Sequence, residues 1–431
     1  MEIDPTRMCE LLLGLPEVDV VGVDDPGPGH LVVIVSPREE RPSCSRCGTS
    51  AWVKDHREVD LVDLPAFDQT VTLRVIRTRW RCPKFRCGVG SWTLEHREIA
   101  PAGHRLTTRA GRWVCVQVGR YARSVAEVAD ALGCDWHTVN DAVVAYGEAL
   151  LDADEDRIGV VRALSVDETL FLREGPWRRQ RWSTQFVDAR GGQLLEVVEG
   201  RDSAAPAAWL AERDPLWLAR IQWAVLDLSG PYRALFDTML PDAEQVADPF
   251  HVVKHANAKL DECRRRVQTE TLGHRGRKND PLYRCRRLML AAHERLDHRG
   301  EAKLAGLLRA GDPHGEVAYA WHAKEAVRFL YDIPNAEFAG RYLDELSVDL
   351  QDDEFPPEVR ALGRTLTRWR DQTVAWHRAR ATNGPAEAIN NLVKRVKRGA
   401  FGFRRFRHYR IRSLLYAGRP NWELLKTITP H

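Results

Sequence analysis

Two short apolar runs, each followed by an aspartate, most constrain what this chain can fold into. They read ALSVDET around Asp167 and WAVLDLSGPY around Asp227. Short runs rich in β-branched and aromatic residues are typical of buried strands. We therefore expect two strands of a central sheet, each delivering its carboxylate to an exposed strand end.

From residue 158 onward, strand-like and helix-like segments alternate around these aspartates, which predicts a multidomain chain with an α/β core. After residue 250 the strand signals nearly vanish, and charged segments of helical period take over. These segments are broken at 272–281 and 348–359. We interpret residues 255–380, approximately, as a large helical insertion within a domain spanning residues 158–431.

Glu387 is a third acid suited to metal ligation. It follows Gly384 and Pro385, residue types that favour a helix start, so we place it in the first turn of a helix. Two aspartates on strands and one glutamate on a helix can hold two divalent cations about 3.5–4 Å apart, as in enzymes of phosphoryl displacement. We expect two Mg²⁺ ions, or Mn²⁺, because an all-oxygen site suits them.

Two cysteine pairs, Cys44–Cys47 and Cys82–Cys87, flank a strand-rich spacer. Four thiolates suit one tetrahedral zinc ion at about 2.3 Å each. A redox-active pair is the alternative, and two pairs around a β-rich spacer favour zinc. We predict a zinc-ribbon, DNA-binding domain over residues 1–100 with one structural Zn²⁺. The other cysteines are predicted to be small core residues: Cys9, Cys115, Cys134, Cys263 and Cys285.

Residues 101–155 contain a helix-turn-helix pattern, VAEVADALGCDWHTVNDAVV. Ser124 with Glu127 forms a capping box for the first helix, Gly133 suits the turn, and Asp135 can cap the second helix. An ordinary helical hairpin is the alternative. If the second helix reads the major groove, its first turns carry the DNA contacts. The predicted contact residues are Trp136, His137, Thr138 and Asn140.

The stretch from Lys394 to Arg412 contains nine Lys or Arg residues and no Asp or Glu. Aromatic residues interleave with these cations, and such a stripe can neutralise phosphates and stack on splayed bases. A solvated face on a core helix is the alternative. Helical spacing places Glu387, Lys394 and Arg398 along one face. The predicted DNA contacts are Lys394, Arg395, Lys397, Arg398, Arg404, Arg405 and Arg407.

The composition limits the partners and the compartment. Net charge is only +3 over 431 residues, so attraction to nucleic acid must come from local patches. No apolar run approaches about 18 residues and the beginning is acidic, so we expect neither a membrane span nor a secretory signal. Nine cysteines with two tight pairs favour metal ligation in a reducing compartment. We therefore expect a cytoplasmic protein.

Several long motifs together resemble those of bacterial insertion-sequence transposases of the ISL3 family. They are CSRCG, RCPKFRCG, SVDE, LDLSGPYRALFDTMLPDAEQVADPFHVVKHAN and TNGPAEAINNLVKRVKRGAFGFRRFRHYRIRSLLY. The resemblance covers nearly the whole chain. It implies an RNase H-like core in which Asp167, Asp227 and Glu387 form the catalytic triad, with Asp248 and His251 near the active site. From the residues alone, His251 would be an interior or helix-cap histidine.

The resemblance also implies the reaction and its partners. The amino-terminal modules would bind the terminal inverted repeats of an insertion sequence, and the protein would associate with the nucleoid when bound. Water would attack the phosphodiester, and the freed 3′-hydroxyl would then attack target DNA. Because paired ends must be held together, a homodimer is the minimal expectation. A non-transposing nuclease and a domesticated, catalytically silent DNA-binding regulator are the alternatives, and the presence of all three acids favours activity.

Three other acids, Glu168, Asp188 and Asp202, compete for a place in the triad. Glu168 follows Asp167 directly and should point to the opposite face of the sheet, because side chains alternate along a strand. Asp188 and Asp202 lack the sequence context of the family. We keep all three as less favoured candidates.

Overall fold

The computed structural model describes residues 4–430, which divide into two compact units of mixed α/β structure. One unit comprises the chain up to Gly159 together with the segment from Asn391 onward, and the other comprises Val160–Asn390. The predicted domain over residues 158–431 therefore contributes to both units. Among the described residues, no helix combines the length and the apolar character needed to cross a bilayer.

The first unit begins with a helix and a five-stranded sheet. The sheet order is β1-β2-β4-β3, with β5 on the far end of β4; β2 and β4 run parallel, and the other pairs are antiparallel. Buried Val35 and Leu73, from two of these strands, pack in its core. The bounds are α1 Pro5–Leu13, β1 Val18–Gly27, β2 His30–Pro37, β3 Trp52–Ala66, β4 Gln69–Arg81 and β5 Ser91–Thr93.

The predicted helix-turn-helix follows this sheet. Ser124 and Glu127 form the expected capping box, and Gly133 adopts the left-handed conformation at φ 65° between the two helices. Asp135 caps the second helix by accepting a hydrogen bond from the backbone of Thr138. These local predictions are confirmed. The bounds are α2 Thr108–Cys115, α3 Val125–Leu132 and α4 Trp136–Ala153.

The second unit contains a mixed sheet of order β10-β9-β6-β7-β8. Strands β6, β7 and β8 pair antiparallel, whereas β9 and β10 extend the sheet from β6 as parallel strands. Parallel neighbours need helical connections, and short helices supply them here. The bounds are β6 Ala163–Glu174, β7 Arg179–Asp188, β8 Gln193–Glu199, α5 Ala204–Ala211, α6 Pro215–Leu218, β9 Trp223–Leu226, α7 Gly230–Met239 and β10 Glu244–Ala247.

After β10 the second unit is helical, as the sequence predicted. Apolar residues from these helices form one buried cluster with the end of β10. The predicted breaks appear as the loops before Pro281 and Pro357, each of which begins a helix. The bounds are α8 Pro249–Leu272, α9 Pro281–Leu290, α10 His298–Gly311, α11 Glu316–Phe329, α12 Ala336–Asp349, α13 Pro357–Arg368 and α14 Arg370–Ala379.

Two helices, α15 (Gly384–Gly399) and α16 (Phe406–Ala417), follow the helical region. In the first unit, Ile411 and Leu415 of α16 are buried in the same apolar cluster as the helix-turn-helix. This packing requires Gly147 of α4, where an added Cβ would lie 2.8 Å from the Cγ2 atom of Ile411. Short π or 3-10 turns cover Val116–Arg120, His293–Arg295, Leu330–Asp332 and Trp422–Lys426.

Candidate carboxylate and DNA-binding sites

Asp167 and Asp227 occupy equivalent levels on neighbouring parallel strands. Ser165 of β6 pairs with Val225 of β9, and each aspartate lies two residues beyond this paired position. Because side chains alternate along a strand, a step of two residues keeps both carboxylates on the face of the residue pair. Neighbouring strands lie about 4.8 Å apart, which brings the two carboxylates close together.

One detail of this arrangement differs from the sequence prediction. Asp227 directly follows the last residue of β9, Leu226, as expected. Asp167, by contrast, lies inside β6, because that strand continues to Glu174 through its pairing with β7. The expectation that Asp167 ends its strand is therefore wrong. Its carboxylate is accessible because the neighbouring strand, β9, ends just before this level.

The environment of Asp227 raises the pKa of its carboxyl group. Burial is the largest cause, and the charge of Asp167 adds to it, whereas the charges of His251 and Lys254 act in the opposite direction. The Oδ1 atom of Asp227 is buried and has no hydrogen-bond partner among residues 4–430. A buried, unpaired carboxylate oxygen beside a second carboxylate is an environment that a bound cation would stabilise.

Helix α15 approaches the same strand through Asn390. The Nδ2 atom of Asn390 donates a hydrogen bond to Oδ2 of Asp167, and its Oδ1 atom accepts one from Thr169 at 2.9 Å. Glu387 is exposed in the first turn of this helix, three residues before Asn390. Residues three apart share a helix face. Glu387 therefore lies one turn from the residue that contacts Asp167.

Asp248 and His251 form a second polar group at the start of α8. Asp248 is 2% exposed, caps the helix, and its Oδ2 atom lies 2.9 Å from Nδ1 of His251. The Oδ1 atom of Asp248 also accepts a hydrogen bond of 2.9 Å from the backbone N–H of Asn383. Asn383 in turn accepts a hydrogen bond from Ser165 of β6. This network ties the starts of α8 and α15 to the strand that carries Asp167.

The hydrogen bond to Asp248 raises the pKa of His251, and the charges of Asp248 and Asp227 add to the effect, while burial opposes it. The Asp–x–x–His spacing thus joins a helix cap to the carboxylate site. Sequence reasoning missed the other members of the network, Asn383 and Asn390. Their only signal was their position on either side of Glu387, since their partners are more than 130 residues away.

The competing acids have other contacts. Glu168 hydrogen bonds with Tyr232, and burial is the main cause of its raised pKa, with the charges of Asp227 and Asp167 adding to it. Asp188 accepts a hydrogen bond from the backbone of Arg190, and Asp202 accepts one from that of Ala204. The latter two therefore stabilise local turns. Glu168 faces helix α7, whereas Asp167 contacts helix α15.

The sulfur atoms of the four predicted cysteines all lie within 4.8 Å of one another. Among the described residues, no other group of three or more His, Cys, Asp or Glu residues is this close together. The sulfur of Cys44 lies 3.6 Å from that of Cys87, and the sulfur of Cys47 lies 3.6 Å from that of Cys82. Four sulfurs around a tetrahedral zinc would be about 3.8 Å apart. The cluster is therefore compatible with a zinc ribbon. Of the remaining cysteines, Cys115, Cys263 and Cys285 are buried, as expected of core residues, whereas Cys9 and Cys134 are half-buried.

The carboxylates do not form a cluster this tight. Ligands bound to different ions of a two-metal site are separated by the distance of about 3.5–4 Å between the ions as well as by their own coordination bonds. Such a site can therefore hold its carboxylates farther apart than four ligands of one ion. The arrangement of the three carboxylates does not match a single tetrahedral site.

The recognition-helix residues do not all share one environment. Trp136 and His137 are exposed, and Thr138 is half-buried with its hydroxyl donating to Asp135. Asn140 is only 4% exposed, and its Nδ2 atom lies 3.5 Å from Nδ1 of His408. The side chain of Asn140 thus faces the interior of the unit. We withdraw it from the predicted contact set, because a buried amide cannot reach a base edge.

The carboxyl-terminal cations also differ in their exposure to solvent. Among the predicted contacts, Lys394, Arg395, Arg398, Arg404 and Arg405 are exposed, Lys397 is half-buried, and Arg407 is exposed but paired with Glu148.

Within the same stretch, Arg412 is buried, which lowers its pKa to about 10. Phe403 and Tyr409 are 8% and 0% exposed, so these two of the interleaved aromatics are core residues and do not stack on bases. Phe401, at 93% exposure, is the aromatic that remains available.

A basic surface around the cysteine cluster was not predicted. Segments 41–54 and 69–94 contain nine Lys or Arg residues and no Asp or Glu. Phe85 is fully exposed, and Trp52 is half exposed beneath the guanidinium of Arg81. Sequence reasoning overlooked the pattern because the neighbouring strand β3 supplies acids that hide it in the overall charge. Near the cysteines, Arg46, Lys84 and Arg86 make no ion pair among the described residues, whereas Arg79 pairs with Asp55 at 3.1 Å.

Comparison with known proteins agrees with this combination of sites. Residues 164–413 match the transposase family of ISL3 type, and residues 95–147 match the helix-turn-helix domain of transposase family ISL3. The first match alone covers more than half of the chain. The chain belongs to the ISL3 family of transposases.

Individual family members resemble it along nearly their whole length. The chain is 28% identical over 433 residues to the transposase for insertion sequence element IS1557 of Mycobacterium tuberculosis, with 92% of each protein covered. It is 25% identical over 388 residues to the transposase for insertion sequence element IS1001 of Bordetella parapertussis, with 88% of this chain and 90% of that protein covered. The family match includes Asp167, Asp227 and Glu387, and the helix-turn-helix match includes the recognition helix.

Proposed function

We propose that this transposase cuts and rejoins DNA strands at a site formed by Asp167, Asp227 and Glu387. The observation that carries the proposal is the contact of Asn390 with Asp167, because it fixes helix α15 beside β6 one turn from Glu387. The register of β6 and β9 places Asp227 at the same level. Three antiparallel strands followed by two parallel strands also support an RNase H-like core.

These carboxylates would hold two Mg²⁺ or Mn²⁺ ions, which would activate the nucleophile and stabilise the leaving oxyanion. The unpaired Oδ1 atom of Asp227 fits this role. A cation would supply the partner that this atom lacks and would offset the repulsion between Asp227 and Asp167. Asp248 and His251 would act from outside the ligand set. The raised pKa of His251 favours its protonated form, and the charge of that form lowers the pKa of Asp227.

The reaction would consist of two attacks on phosphorus. In the first, water attacks a phosphodiester at the end of the element, and the strand leaves with a free 3′-hydroxyl. In the second, that hydroxyl attacks a phosphodiester of the target DNA and displaces its 3′-oxygen. The terminal inverted repeats would define where the first attack occurs. Because two ends must be joined to one target, we propose a dimer or higher homo-oligomer on DNA.

The amino-terminal modules would recognise the DNA ends. One zinc ion held by the four clustered cysteines would stabilise the ribbon. The exposed Trp136 and His137 would read bases from the recognition helix, and the basic surface near Trp52 and Phe85 would contact phosphates. The exposed Arg404 and its neighbours would add sequence-independent contacts.

The decisive experiment measures Mg²⁺-dependent cleavage of a duplex that carries the repeat bordering the gene. Asp167→Asn, Asp227→Asn and Glu387→Gln each remove one charge with little change of shape. Each should abolish cleavage while DNA binding and thermal stability persist. The losses should not add in double variants, because residues that act as one unit cannot be removed twice.

The controls separate this assignment from its alternatives. Asp188→Asn should keep full cleavage, since that carboxylate caps a local turn. Glu168→Gln should keep most activity because its partner is Tyr232 on the other side of the strand. Substantial cleavage by Asp227→Asn or Glu387→Gln would disprove the triad. Wild-type protein that binds the repeats without cutting would identify a silent regulator, and cutting without preference for the repeats would identify a non-transposing nuclease.

A further inference from the structure

The helical region carries an exposed basic surface that no part of the proposed function uses. It spans the loop after α8 and the first turns of α9. Residues 273–290 contain six Lys or Arg and a single acid, Asp280. Five of these cations are exposed and define what we call the insertion basic surface: Arg275, Arg277, Lys278, Arg284 and Arg287.

The single acid in this segment does not neutralise the exposed cations. Asp280 accepts a hydrogen bond from the backbone N–H of Arg277, and it is the N-cap residue of α9. Its other close contact is the ring of His274, at 3.6 Å. Asp280 therefore connects the loop to the start of the helix. The five cationic side chains take no part in this connection and form no ion pair with a carboxylate within residues 4–430.

Several other arginines in the helical region are paired with carboxylates, unlike the cations of this surface. Arg266 bonds to Glu316 and Glu358, and Arg370 bonds to Asp344 at 2.8 Å. Such pairing removes much of their attraction for an external anion. The cations of the insertion basic surface have no such carboxylate partners, so their positive charge is exposed to solvent.

The geometry of α9 presents two of these cations together. Arg284 and Arg287 are three residues apart and therefore share a helix face, whereas Leu282 and Cys285 pack into the core. The loop bearing Arg277 is held at the start of the same helix by Asp280. Helix α9 thus presents two guanidinium groups on one face, with Arg277 in the loop at its start. Guanidinium groups bind phosphate oxygens in a bidentate manner.

We propose that the insertion basic surface binds the phosphate backbone of double-stranded DNA without reading its sequence. The inference rests on the proposed function, which brings both element ends and target DNA to this protein. A duplex is favoured over a single strand because the aromatic residue of segment 273–290, Tyr283, is half-buried and its ring is covered by the guanidinium of Arg286 at 3.8 Å. Single-strand surfaces commonly stack bases on exposed aromatic rings. The surface would thus hold DNA that extends beyond the end recognised by the amino-terminal modules.

The test measures binding of full-length protein to a scrambled duplex as a function of salt. Each phosphate contact contributes about 0.9 to the slope of log K against log salt concentration. The triple variant Arg277→Gln/Arg284→Gln/Arg287→Gln should therefore lower the slope by about 2–3 and weaken binding at low salt. Its melting temperature should match that of the wild type, since these side chains are exposed.

A matched control removes the same charge from paired arginines of the helical region. Arg341, Arg360 and Arg370 contact Glu337, Asp353 and Asp344, respectively. The triple glutamine variant of these residues should leave the slope within about 0.5 of the wild-type value, because paired charges displace few counterions.

The outcomes distinguish the two proposals. If the insertion variant keeps the wild-type slope while wild-type protein still cleaves its repeats, the surface proposal is overturned and the proposed function stands. A variant that loses binding to RNA or to single strands but not to duplex also overturns it. Wild-type protein that neither binds nor cleaves DNA overturns the proposed function, and this inference with it. If the triple variant misfolds, Arg275→Gln/Lys278→Gln in the loop provides the same test.

Discussion

Asn390 donates a hydrogen bond to the carboxylate of Asp167, across 223 positions of sequence. The same amide accepts a hydrogen bond from Thr169, so both of its polar ends are held by strand β6. Asn390 is only 7% exposed. An amide fixed at both ends defines the orientation of the carboxylate that it contacts, in the way that outer-shell partners orient metal ligands.

Asn390→Ala should weaken the site without removing a ligand. Loss of such a partner typically reduces metal affinity or activity about 10- to 100-fold. We expect the Mg²⁺ concentration for half-maximal cleavage to rise, and Mn²⁺ binding measured by calorimetry to weaken, while DNA affinity is unchanged. Asn391→Ala, at the exposed neighbouring position, is the control and should behave as wild type. Equal effects of the two substitutions would refute a positioning role.

Purified protein should contain about one zinc ion per chain. Cys82→Ser removes one of the four clustered sulfurs and should abolish zinc binding and lower the stability of the amino-terminal sheet, because binding energy of a structural metal is folding energy. Elemental analysis and thermal unfolding measure both effects. Cys134→Ser, which alters a half-buried cysteine outside the cluster, should retain the metal. Zinc lost in Cys134→Ser, or absent from the wild type, would contradict the ribbon.

Gly111→Ala should destabilise the first unit. An added Cβ would lie 2.6 Å from Cζ of Tyr146, a ring that is 1% exposed and cannot move aside without disturbing the core. Overpacking of this kind costs about 1–3 kcal/mol, which calorimetry would detect as a lower melting temperature.

Gly306→Ala is the matched control for that substitution. Gly306 lies inside α10, and its added Cβ would meet no atom within 4 Å. The free energy of unfolding should therefore rise by about 0.5–1 kcal/mol, since alanine restricts the unfolded chain more than glycine does. A destabilised Gly306→Ala or a neutral Gly111→Ala would show that the packing around Tyr146 is not the deciding factor.

The pKa values of two histidines one turn apart on α8 should be shifted in opposite directions from that of a free histidine. The hydrogen bond to Asp248 raises the pKa of His251, whereas burial lowers that of His255. NMR of ¹³C-labelled histidine, with divalent ions chelated, should place His251 above and His255 below about 6.5. Asp248→Asn should lower the pKa of His251 and leave that of His255 unchanged.

The direction of the shift fixes its effect on stability. A raised pKa means that the folded state favours protonated His251, so this contribution is fully present below about 6.5 and is lost as pH rises through the raised value. The difference in melting temperature between wild type and His251→Gln should therefore shrink from pH 6 to pH 9. A difference in melting temperature that does not change with pH would show that Asp248 does not stabilise protonated His251.

Most of the local structure can be predicted from the amino-acid sequence alone. The capping box of Ser124 and Glu127, the left-handed Gly133 and the cap at Asp135 all appear where the sequence placed them. So do the strands around the two aspartates, the helical region and the cysteine cluster. These features depend on interactions within a few residues, or on spacing that only one ligand geometry satisfies. Local chemistry is sufficient to predict them.

Which side chains are accessible to DNA depends on tertiary packing. Asn140, Tyr409 and Arg412 occur in patterns typical of DNA contacts, yet all three are buried. Periodicity indicates that a helix has an apolar face, but not which polar residues the packing of a distant element will cover. The partners of Asn390 are equally hidden from sequence, because they come from a strand more than 200 positions away. Burial and long-range hydrogen bonds are set when segments meet, and no local propensity encodes that meeting.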